Sequence, residues 1–143
     1  MRTISVFVVG LLLAVVLGGA PVSAYNGIEL SYASVGNFTL VDQNNSEYKL
    51  SDATEEIVVV SFFFTRCPDV CPVITQSLKL VHDTLPEQLE DNVGFVAITL
   101  DPKYDTPEVL AEYMARHGVD WPHLTGPTED VKDVWSRFAI YAE

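Results

Sequence analysis

The stretch EEIVVVSFFFT, residues 55–65, limits what this chain can fold into more than any other, because between Ile57 and Phe64 only Ser61 is polar. A run so rich in β-branched and aromatic side chains offers no polar face to water. It predicts a strand buried on both sides, as in a parallel sheet with helices packed against it. CPDVC follows at once, with Cys67 and Cys71, and then Val73, Ile74, Leu78, Val81 and Leu85 recur at helical spacing until Pro86 ends the pattern. Both cysteines of the chain therefore fall at a strand-to-helix junction.

The same alternation continues on either side. FTLV and EYKL flank the turn DQNNS and read as a β-hairpin. NVGFVAITLD is a second apolar strand, and TPEVLAEYMARHG carries its own helix punctuation: Thr106 as N-cap, Pro107 at the first helical position, Glu108 in the first turn and Gly118 after the end. WPHLTG predicts a short strand and turn, and EDVKDVWSRFAIY a last helix running into the start of another strand. Strands alternating with helices give an α/β fold with a parallel-containing sheet.

The first 24 residues, MRTISVFVVGLLLAVVLGGAPVSA, have Arg2 ahead of an apolar run and the small residues Val22 and Ala24 before Tyr25, the pattern of an export signal. Extended through Ala20, the run also approaches the ~20 residues of a bilayer-spanning helix, so a retained membrane anchor is the competing reading. Either way residues 25–143, long enough for one domain, are expected on the non-cytoplasmic side, where oxidised cysteines can persist. Without Arg2 they hold seven Lys and Arg against 20 Asp and Glu, a formal charge of −13. That field argues against nucleic acid and anionic membrane surface as partners.

CPDVC admits a structural disulfide, a redox dithiol or a pair of metal ligands. If the stretch is helical, Cys67 and Cys71 share one face a turn apart, and Pro68 fits the first turn. The unpaired N–H groups of that turn favour thiolate, with Arg66 adjacent as a further cation. A staple across so short a loop gains little, which favours a redox or ligand role. Structural zinc and iron–sulfur clusters ordinarily take four ligands, whereas Cu(I) accepts two or three, so two thiolates and one imidazole would suffice. Each of the three histidines also has an ordinary reading. His82 lies about three turns along the helix from Cys71 and reads as a surface residue. His117 suits a cation at a helix C-terminus, and His123 reaches the site only if the fold brings its loop over.

FFFTRCPDVCP, then VAITLDPKYDTPEVLAEYMARHG, then WPHLTGPTEDV together resemble the SCO/SenC family of copper-binding proteins, over about Asn37 to Ile140. The resemblance implies a thioredoxin-like fold, copper held by Cys67 and Cys71, and delivery to the copper-site subunit of cytochrome c oxidase. It also implies the alternative of thiol–disulfide exchange on client cysteines, with Cys67, as the more exposed thiol, attacking and Cys71 resolving. Asp101 and Asp105 match the family's second motif and are expected to support the metal loop rather than bind, since a carboxylate is a hard ligand for Cu(I). The family's third ligand is a histidine in a later hairpin. This sequence reads as lacking that hairpin and the last helix, which favours Cu(I) over Cu(II) and leaves a sheet edge unpaired.

Overall fold

The computed structural model describes residues 35–141; the expected leader, residues 1–24, lies outside them. Among the described residues no helix is long and apolar enough to cross a membrane.

The hairpin forms as expected, with β1 (Thr39–Val41) antiparallel to β2 (Glu47–Lys49) and Leu40 opposite Tyr48. Its turn is built on Asp42, whose carboxylate accepts the N–H groups of Asn44 and Ser46, both at 2.8 Å. Asn45 takes the left-handed conformation at φ 59°, which a short polar side chain tolerates.

The main sheet has the order β3 (Ile57–Phe63), β4 (Val93–Thr99), β5 (His123–Leu124), all parallel. Parallel neighbours need crossovers. α1 (Val70–Asp83) and the single turn α2 (Glu87–Glu90) join β3 to β4, and α3 (Pro107–His117) joins β4 to β5. α4 (Thr128–Arg137) follows. The hairpin is bonded to the chain after β5 through Val41 and Thr125, which exchange two N–H···O bonds of 2.9 Å.

Side-chain alternation along β4 divides the core. Phe95 and Ala97 face one side with Leu110, Tyr113 and Met114 of α3 and both cysteines; Val96 and Ile98 face the other with Leu40, Leu124, Val131, Val134 and Trp135. The strand expected to be buried on both faces proves to be β4. β3 is half-buried, with only Phe63 fully covered and Ile57 56% exposed. Among the described residues β3 has a neighbour on one edge only, so its apolar run is shielded less than its composition suggests.

α3 starts and stops where its sequence directs: Thr106 Oγ1 accepts the Val109 N–H at 3.4 Å, Pro107 is the first helical residue, and Gly118 closes the helix at φ 66°. After α4 no strand begins within the described residues. Ala139 turns left-handed at φ 54° and the Ile140 N–H returns to the Trp135 carbonyl at 2.9 Å, a helix-capping turn in place of the expected strand.

Candidate functional site

The two cysteines meet at the start of α1, though not on one helical face. The helix begins at Val70 with Asp69 as its N-cap residue, so Cys71 and Pro72 lie in the first turn while Cys67 and Pro68 precede it. The sulfur of Cys67 nevertheless faces the helix end and accepts the Cys71 N–H at 3.4 Å. Asp69 makes no side-chain capping bond, so the thiol meets amide donors that a carboxylate would otherwise take.

Both residues are free thiols and both are buried, Cys67 at 8% exposure and Cys71 at 6%, so Cys67 is the more exposed of the two by a small margin. Their electrostatics differ. The backbone N–H of Asp69, then that of Cys71, lower the pKa of Cys67 below the ordinary thiol value. Burial raises that of Cys71, with the Cys67 thiol and the charge of Asp105 adding to it.

Arg66 does not serve the thiols. Its guanidinium pairs with Asp101 at 2.6 Å and stacks over the Tyr104 ring at 4.2 Å, so it ties the cysteine loop to the loop after β4. Asp101 thus reaches the cysteine loop through Arg66. Asp105 is fully buried and binds the loop more firmly: its carboxylate accepts the Thr65 N–H at 3.2 Å and the hydroxyls of Thr65 and Thr99. Two loops at the same end of the sheet are thereby locked together two residues before Cys67. Thr65 lies inside FFFTRCPDVCP and Thr99 inside VAITLDPKYDTP, but sequence reasoning gave neither a role, because a hydroxyl's partner is invisible until the loops are placed.

Behind the cysteines, Thr75 Oγ1 lies 2.8 Å from the Tyr113 hydroxyl, which joins α1 to α3 through a buried polar contact. The histidines differ in exposure: the His82 side chain is 37% exposed, His117 is half-buried and His123 is buried. His82 packs on Phe95 and Trp121, with ring centroids at 5.3 and 5.5 Å. His117 lies 4.3 Å from the Tyr113 ring, and burial lowers its pKa, which weakens its expected role as a helix-end cation. His123 is buried, donates its Nδ1–H to the Trp121 carbonyl at 2.9 Å and packs edge-on to Phe63 at 5.0 Å; burial pulls its pKa down to about 4. Among the described residues no three His, Cys, Asp or Glu side chains gather into a metal-holding group. Among the described residues the site offers two thiols, Cys67 and Cys71.

The SCO1/SenC family model matches residues 28–143. Among curated proteins, the SCO2-like protein RP587 of Rickettsia prowazekii is 35% identical over 106 residues, covering 74% of this chain and 51% of the relative. Protein sco1 of Schizosaccharomyces pombe is 32% identical, with 74% and 40% covered. Among solved structures, yeast Sco1 with copper bound aligns at a TM-score of 0.68 and 30% identity, covering 74% of this chain and 59% of that one. Apo Sco1 from Thermus thermophilus aligns at 0.70 and 30%, covering 80% and 66%. The fold is thioredoxin-like. The chain spans about half the length of the first curated relatives, 51% and 50%.

Proposed function

The chain belongs to the SCO1/SenC family, and on that premise we propose that it captures copper with Cys67 and Cys71 and passes it to the copper-site subunit of cytochrome c oxidase, as a metallochaperone rather than an enzyme. The observation that carries this reading is the Cys67 sulfur seated on the Cys71 N–H at the start of α1, which holds two sulfur donors at one helix end and favours the thiolate form that binds metal. The donor set fits the cargo. Sulfur is a soft ligand, and two thiolates satisfy Cu(I) but not the tetragonal nitrogen and oxygen preference of Cu(II), so Cu(I) is the favoured state. Asp101 and Asp105 are committed to Arg66 and to Thr65 and Thr99, and they act on the loop rather than on the metal. Residues 1–24 act as a signal or anchor that places the domain, residues 25–143, on the non-cytoplasmic side, where the client lies.

Titration of the reduced protein with Cu(I) against a competing chelator tests this. About one equivalent is expected to bind, with loss of binding in Cys67→Ala. Stoichiometric copper retained by the variant lacking both cysteines would overturn it.

A second reading, thiol–disulfide exchange on client cysteines, is favoured by the opposite displacement of the two thiols. The thiol that ionises more readily, Cys67, attacks and Cys71 resolves. A reduced pair inert toward a model disulfide would remove this reading.

A further inference from the structure

Beside the cysteine loop lies a groove of about 350 Å³, lined chiefly by Thr65, Arg66, Tyr104, Glu112, Tyr113 and Arg116. Its wall belongs to the cysteine loop and to what packs behind it: Thr65 and Arg66 are the two residues before Cys67, and Tyr113 packs in one cluster with Cys67 and Cys71. Two of the eight Lys and Arg of the sequence line this one groove, in a chain whose net charge is −12. Arg66 is held in place by Asp101 and the Tyr104 ring, which leaves further N–H donors of its fork uncommitted. Arg116 enters none of the ion pairs among the described residues.

We propose that this groove seats a carboxylate of a low-molecular-weight thiol or disulfide while the sulfur of that compound exchanges at Cys67. The inference rests on the reading of Cys67 as an exchanging thiol and names the class of compound it meets. The volume is that of a small-ligand site rather than of a protein interface. A guanidinium fork matches a carboxylate in shape and charge. A strongly acidic chain repels anionic thiols as a whole, so a local pair of arginines beside the sulfur is what lets one approach. The Glu112 carboxylate on the same wall opposes them and weakens the attraction.

With a disulfide RS–SR the step balances as follows. The Cys67 thiolate attacks one sulfur, a Cys67–SR bond forms, the RS–SR bond breaks and RS⁻ leaves. The Cys71 thiol, on losing its proton to solvent, attacks Cys67 Sγ and expels the second RS⁻. The protein dithiol loses two electrons and the compound gains them.

Stopped-flow rates of the reduced protein with dithiobis(nitrobenzoate), which carries a carboxylate on each ring, and with the neutral dithiodipyridine test this at low ionic strength. Arg116→Gln is expected to slow the carboxylate reagent about threefold, the scale of one exposed charge, and to leave the neutral reagent unchanged. Glu112→Gln is expected to accelerate the carboxylate reagent, and both effects should fade in high salt. An Arg116→Gln variant that slows both reagents equally, or neither, would overturn the groove. Failure of the unsubstituted protein to react with the neutral reagent would instead remove the exchange reading beneath it, and the groove with it.

Discussion

The backbone N–H of Cys71 lies 3.4 Å from the sulfur of Cys67 and points at it. This contact does the work of a helix cap with a thiol in place of a carboxylate. It also separates the two cysteines chemically, because the residue outside the helix faces amide donors while the residue inside the first turn faces the core. Whether the dithiol meets copper or a disulfide, this difference decides which sulfur is charged first.

The thiols are accordingly expected to ionise in sequence. Ultraviolet absorbance of the reduced protein, followed with pH, should show Cys67 forming thiolate below the ordinary thiol value and Cys71 above it. In Cys71→Ala the remaining step should stay low, because the Asp69 and residue-71 amides persist. For stability, the lowered Cys67 value favours the folded state above the unfolded thiol pKa, and that contribution is lost as pH falls through the folded value. One step at the ordinary value, assigned to both cysteines, would contradict the geometry.

Asp105 should matter far more than Asp101. Asp105→Ala leaves the Thr65 N–H and the hydroxyls of Thr65 and Thr99 without a buried acceptor, and is expected to lower unfolding free energy by about 2–4 kcal/mol. It should also loosen the loop that positions Cys67, so alkylation of that thiol would change with it. Asp101→Asn breaks a pair whose arginine side chain is 58% exposed, and about 1 kcal/mol or less is expected. Urea denaturation of the two variants, side by side, checks the ranking; equal losses would mean that Asp105 is not the clamp.

His123 makes the fold sensitive to acid. Its folded pKa, about 4, lies below the ordinary value of about 6.5, so the neutral ring is the form that the core accepts. As pH falls below about 6.5 the unfolded chain takes up a proton that the folded chain refuses until about pH 4, and stability drops across that window. Between pH 7 and 4.5 the loss is on the order of 2 kcal/mol. Denaturation at both values should show it, and His123→Gln should be less stable at pH 7 yet lose less on acidification. A parallel pH dependence in the two proteins would assign the effect to other groups.

Local order was legible wherever a short segment carries its own instructions. Thr106, Pro107 and Gly118 fix the ends of α3 because caps act within one turn, and the Asp42 turn closes the hairpin through bonds that span four residues or fewer. The strand-to-helix placement of Cys67 and Cys71 followed from a change of hydrophobic period, from continuous to helical, at Phe64. Family membership was equally readable, since it rests on the order of quoted motifs.

Other properties depend on which segments become neighbours, and the linear chain holds no record of that. Composition alone made β3 a strand buried on both faces, but β4 is the one so buried, since among the described residues it has a partner on each edge. Arg66 looked like a companion of the cysteines until Asp101, 35 residues on, claimed its charge. His117 and His123 read as a helix-end cation and a weak ligand candidate, and the fold half-buries the first against Tyr113 and buries the second against Phe63 and Trp121, where a proton is disfavoured by the loss of water. The sequence by itself determined two sulfurs at a helix end. Only the tertiary structure decided which of them ionises more readily, because that depends on amide donors and on burial, and both are created by packing.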